Sequence, residues 1–128
     1  MSRNGFLLWI LLAAALVSTQ GCTVAAVGAA AAGTVAYVRG DLQAAENAPI
    51  DKVYDASLAA MEELEIPVIS KAKDALSARI TGRDAADKKI AIRLKATAED
   101  TTRLSIRIGL FGSETKSRLI HQKIKEYL

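Results

Sequence analysis

Three consecutive segments alternate apolar and polar side chains almost residue by residue: "LSARITGR", "KKIAIRLKAT" and "TTRLSIRIG", ending at Gly109. A period of two is the signature of a strand with one buried and one wetted face, because successive side chains point to opposite sides of the pleat. Ala78, Ile80, Ile90, Ile92, Leu94, Ala96, Leu104, Ile106 and Ile108 fall on the inward side. Arg79, Thr81, Arg83, Arg93, Lys95, Thr97, Arg103, Ser105 and Arg107 fall outward. The joining stretches "AADK" and "AEDT" are polar and of hairpin length. That combination predicts an antiparallel meander with one face on a core and the other in water.

The flanking sequence supplies what covers the apolar face. "PVISKAKD" reads as a further strand ahead of the three. Before it, Ile50, Val53, Tyr54, Leu58, Met61 and Leu64 recur at helical spacing. Pro49 suits the first turn of that helix, Asp51 and Asp55 suit the positive end of its dipole, and Pro67 stops it. Upstream, the alternation around Leu42 and Ala44 predicts one strand over 37–46. Downstream, Gly109 and Gly112 end the last strand, Ser113 is placed to cap a helix, and Leu119, Ile120, Ile124 and Tyr127 give that helix an apolar side. The order is strand, helix, four strands, helix. It predicts an α+β fold with both helices on one sheet face, as in TATA-binding-protein-like and helix-grip arrangements. At 128 residues the chain has room for one small domain, with Tyr54 and Phe111 expected as the largest pieces of an Ile/Leu/Val/Ala core.

That domain is expected over 37–128, because the chain before it has another character. No charged side chain occurs between Asn4 and Val38. Arg3 precedes an uninterrupted apolar run, Phe6 to Val17, of the length of a signal-peptide core and short for a bilayer span. "STQGC" follows, and bacterial lipoprotein signals end in this way. In such signals a diacylglycerol is joined to the cysteine thiol and a peptidase cuts just before it, which here would be Cys22 and the Gly21–Cys22 bond, with Gly21 giving the peptidase room. Thr19 and Gln20 depart from the usual residues at their positions. Residues 1–21 are thus expected to be a signal peptide, and 22–36 a lipidated cysteine followed by an Ala/Gly-rich tether. Thr23, in place of an aspartate, favours the outer membrane over retention in the inner one. A second reading stays open, in which "TVAAVGAAAAGTVAYV" prolongs the apolar run into an uncleaved inner-membrane helix. The single cysteine excludes an internal disulfide.

Taken together, the GC step, the Ala/Gly tract, "YVRGDLQA", "VYDASLAAMEEL", "DALSARITGR" and "IRIGLFGSETKSRLIHQKI" resemble a small family of uncharacterised proteobacterial envelope lipoproteins, a domain of unknown function. The resemblance spans nearly all of the chain after the leader. It implies the lipoprotein address and an α+β domain. It implies no activity, because the family has no assigned catalytic residues.

The residues themselves offer little for catalysis. His121 is the only histidine and reads as a surface residue of the last helix. With no cysteine or carboxylate beside it in sequence it makes no metal site, and no cofactor is expected. Glu62, Glu63 and Glu65 read as a solvated helix end. Gly109, Gly112 and Ser113 match no phosphate-binding loop. The expected protein is therefore not an enzyme. One feature stands out: Arg79, Arg83, Arg93, Lys95, Arg103 and Arg107 all point outward, and adjacent strands would gather them into a basic face suited to phosphates or carboxylates. Nucleic acid is not the expected partner, since no aromatic residue interleaves these cations. The expected partners are the membrane through the N-terminal lipid, and an envelope protein or an anionic envelope polymer. A structural or protein-interaction role leads. Binding of an anionic lipid or glycan on the basic face is the alternative.

Overall fold

The computed structural model describes residues 35–128. The signal peptide, the Gly21–Cys22 cleavage point, the acylated Cys22 and most of the expected tether lie outside the described residues. The elements run β1 (Val35–Val38), β2 (Asp41–Glu46), α1 (Ile50–Glu63), β3 (Val68–Lys73), β4 (Ser77–Arg83), β5 (Lys89–Ala98), β6 (Thr101–Ile108) and α2 (Glu114–Glu126). They form an open six-stranded antiparallel sheet in the order β1-β2-β6-β5-β4-β3. The fold is α+β with a β3-to-β6 meander.

The expected single strand over 37–46 is in fact two. Val38 pairs with Asp41 across a two-residue turn, and both turn residues have positive φ, Arg39 at 52° and Gly40 at 86°. Positive φ at both central positions is the turn whose twist matches a hairpin. The helix therefore follows the second strand rather than the first, and the strand-helix-four-strand-helix order gains a leading strand. β1 also begins two residues inside the segment expected as tether. From β2, one strand in from the β1 edge, α1 crosses over to reach the far edge at β3.

The strand faces follow the alternation. Leu42, Ile106, Ile92 and Ile80 form one row across four strands, each opposite the next, and all four are fully buried. Ala44, Leu104, Leu94 and Ala78 form the next row in the same way. Both helices pack on these rows through Val53, Ala60 and Met61 of α1 and Ile120 and Ile124 of α2. The rows end on β3 in Lys71 and Lys73, opposite Ile80 and Ala78. There Lys73 pairs with Asp51 of α1 and its ammonium lies 5.3 Å from the Tyr54 ring centre. A long stem with a charged head suits the margin of a core.

Helix ends depart from expectation in one detail. Ser113 occupies the N-cap position of α2, but its hydroxyl makes no capping bond. Phe111 departs more. It is 88% exposed rather than part of the core. The turn that carries it is set by Gly112, whose φ is 81°; a Cβ there would run into the Gly40 backbone and the Tyr37 hydroxyl. The close approach of Gly112 to Gly40 joins the β6–α2 loop to the β1–β2 turn and leaves Phe111 pointing outward.

Candidate functional site

The register brings most of the outward cations together. Arg79 lies directly opposite Arg93, and Lys95 directly opposite Arg103. Small side chains fill the positions between them: Ser77 faces Lys95, Ser105 faces Arg93, and Ala72 faces Arg79. The result is a shallow depression of about 440 Å³ bordered by Ser77, Arg79, Arg93, Lys95, Arg103 and Ser105. It lies on the face that neither described helix covers.

These four cations are unpaired. All 14 acidic side chains of the chain lie at or beyond Asp41, and among the described residues none pairs with Arg79, Arg93, Lys95 or Arg103. Asp74 stands at the rim of the depression but is taken by its own turn. It accepts the backbone N–H of Leu76 and Ser77 and the Ser77 hydroxyl, and these bonds hold its carboxyl below the usual range. Like charges directly opposite one another on a sheet destabilise it, so the fold gains nothing from Arg79 facing Arg93 or Lys95 facing Arg103. An anion placed between them would relieve that repulsion. A guanidinium presents a planar fork that fits phosphate or carboxylate in two parallel bonds, with the serine hydroxyls as additional donors.

Arg83 and Arg107 do not join this group. Arg83 pairs with Asp87 at 3.3 Å and donates to its carbonyl oxygen, closing the β4–β5 turn. Arg107 pairs with Asp41 at 3.4 Å and donates to the carbonyl oxygens of Arg39, at 3.0 Å, and Leu110, at 2.6 Å. It ties two loops together.

His121 is buried, not on the surface. Its Nε2 pairs with Oε1 of Glu46, and both side chains are nearly inaccessible. The pair joins α2 to β2 inside the core. The spacing held the signal, since Ser117, Ile120, His121 and Ile124 are the buried stripe of α2. Of the acids at the end of α1, Glu62 and Glu65 are exposed, as expected, and Glu63 is exposed but bonded. Glu63 accepts from the Tyr127 hydroxyl and from Lys123, which lower its pKa in that order, and so links α1 to the end of α2. Among the described residues, no group of three or more His, Cys, Asp or Glu side chains is placed to hold a metal ion. No described helix is long and apolar enough to cross a membrane.

A family model described as a protein of unknown function, DUF3568, matches residues 5–127. No curated protein matches the chain.

Proposed function

The chain belongs to this DUF3568 family of unknown function, and for it we propose the role of a non-enzymatic, lipid-anchored envelope protein that docks an anionic partner on its open sheet face. The observation that carries the proposal is the set of four unpaired cations, in two directly opposed pairs, on a face left bare of helices. A sheet face that only needed solubility would interleave signs and gain cross-strand pairs. This one places a single strand carboxylate, Asp41, beside Arg107, and its other charged strand side chains are positive. A phosphorylated or carboxylated envelope polymer, or an acidic patch on an envelope protein, has the complementary chemistry.

The lipid anchor rests on the sequence: the apolar run Phe6 to Val17, then "STQGC". Acyl chains on Cys22 would hold the domain at a bilayer and raise the local concentration of any partner there. Stable attachment needs more than one chain, which a triacylated cysteine provides. The outer membrane, periplasmic side, is the proposed location.

Two experiments test these statements separately. Intact mass of the membrane-extracted protein, beside Cys22→Ser, is expected to show a chain beginning at Cys22 with added acyl mass that Cys22→Ser lacks. A full-length chain without acyl mass would overturn the anchor. Binding to purified sacculi, titrated with salt, tests the open face. Arg93→Glu with Arg103→Glu is expected to abolish salt-sensitive binding, because exposed charges act through a screened field. Unchanged binding by that variant, or no binding by the native chain, would overturn it.

A further inference from the structure

A second surface lies at the end of the sheet away from the Lys95–Arg103 pair. There the β6–α2 loop carries Leu110 and Phe111, exposed at 78% and 88%, and Val38 ends β1 at 48% exposure. The loop is held in place on every side. The Arg107 guanidinium grips the Leu110 carbonyl oxygen and, through the Arg39 carbonyl, the neighbouring hairpin turn. The Gly109 N–H donates to the Lys89 carbonyl oxygen at 2.7 Å. The Gly112 backbone lies against Gly40. The two most exposed large apolar side chains of the described residues are thus presented by a braced loop. Large apolar side chains left in water forgo burial and invite association, so a rigid loop that displays them points to something that covers them.

The surroundings identify that cover. Lys88 packs beside Gly109, and Asp87, Lys88, Lys89, Arg93, Arg107 and Leu110 border one shallow groove. Arg39 sits on the adjoining turn. The nearby carboxylates are engaged, Asp87 by Arg83 and Asp41 by Arg107. An apolar apex with an aromatic residue, ringed by lysine and arginine, is the pattern of proteins that lie on a membrane: the apex enters the boundary between headgroups and acyl chains, and the cations meet anionic headgroups. A protein partner is the poorer fit. Two or three projecting side chains cover far less area than a stable protein interface needs, whereas a small apolar contact suffices for a domain that a lipid already holds nearby.

We propose that the Leu110–Phe111 tip, with Arg39, Lys88 and Lys89 around it, inserts into the interfacial layer of an anionic bilayer. The groove beside the tip shares Arg93 with the open face, but the insertion itself uses Leu110, Phe111, Arg39, Lys88 and Lys89. The choice of a bilayer over a protein partner rests on the proposed Cys22 anchor, but intact mass reads the anchor and depth at position 111 reads the insertion, so the two can fail separately.

The test places an indole at the tip. Phe111→Trp is made in the full-length chain with Trp9→Phe, so that position 111 is the single tryptophan. The protein is reconstituted with vesicles of phosphatidylcholine, or of phosphatidylcholine mixed with phosphatidylglycerol, each with and without brominated acyl chains. In the phosphatidylglycerol vesicles the expected result is blue-shifted emission, several-fold quenching by the brominated chains, and loss of quenching by aqueous acrylamide. Lys88→Glu with Lys89→Glu in the same background is expected to reverse most of this. Leu76→Trp, at the opposite end of the sheet, is expected to stay water-exposed. Emission at position 111 that remains acrylamide-accessible in both vesicle types would overturn the proposal. So would equal bromine quenching at positions 76 and 111, or shielding that appears only when envelope protein is added.

Discussion

On one face of the sheet, Leu42, Ile106, Ile92 and Ile80 line up across four strands beneath the helices. On the other, Gln43, Ser105, Arg93 and Arg79 line up across the same four strands, uncovered by any described element. Ile92 and Arg93 are chain neighbours, so the two rows lie on the same four strands of one ladder, and their side chains meet opposite surroundings. The first row is filled to exclude water. The second sets guanidinium against guanidinium. A fold whose cohesion resides on one face leaves the other free to be shaped by a partner, and its like-charge pairs are tolerated because the apolar row is strong enough to carry them.

The largest expected break in this contrast is Ile92→Ala. Emptying the centre of the apolar row should lower stability by about 2–5 kcal/mol, read from the urea midpoint. Next comes Glu46→Ala, which leaves the His121 imidazole buried without its partner. It is expected to lower stability by about 1–3 kcal/mol. Glu46→Leu with His121→Leu should recover most of that loss, because an apolar pair removes both buried polar groups together. On the open face the sign reverses. Arg93→Thr removes one half of the Arg79–Arg93 pair and should raise stability by about 0.2–1 kcal/mol, visible as a higher melting temperature at low salt. A loss of stability there would mean that the basic row also holds the fold together.

The smallest effect is with pH. Glu63, Asp74 and Asp84 all have lowered pKa values, Asp84 through Lys116 first and then the Lys88 N–H. A carboxylate whose folded pKa lies below its unfolded value stabilises the fold above the unfolded pKa, and that contribution is lost as pH falls through the folded one. The contribution of these three carboxylates should therefore be constant near neutrality and decline once pH drops below the ordinary values of 4.5 for Glu63 and 3.8 for Asp74 and Asp84. Asp84→Asn should shallow that decline in an acid titration of the melting temperature.

Much of the sheet was legible because strict alternation specifies both a strand and its faces. Ala78 to Ile108 fall as the period demands, and so do the outward cations. The β1–β2 hairpin was not, because Val35 and Tyr37 are the whole inward pattern of a four-residue strand. Gly40 was the remaining sign of a turn. Phe111 misled because residue type alone suggests burial, whereas two left-handed glycines turn its loop outward. The burial of His121 could have been read from the α2 stripe, but its partner Glu46 stands 75 positions away in sequence. The separation of Arg83 and Arg107 from the other cations needed the loops, since both are held by turn carbonyls and nearby carboxylates.

The most direct test joins stability and binding in one variant: Arg79→Gln, Arg93→Gln, Lys95→Gln and Arg103→Gln together in the full-length chain. Its unfolding midpoint and its salt-sensitive retention on sacculi are measured against the native protein. The account predicts a midpoint equal to or above the native one and retention lost. A lowered midpoint with retention intact would contradict it, because the open face would then serve the fold and not a partner.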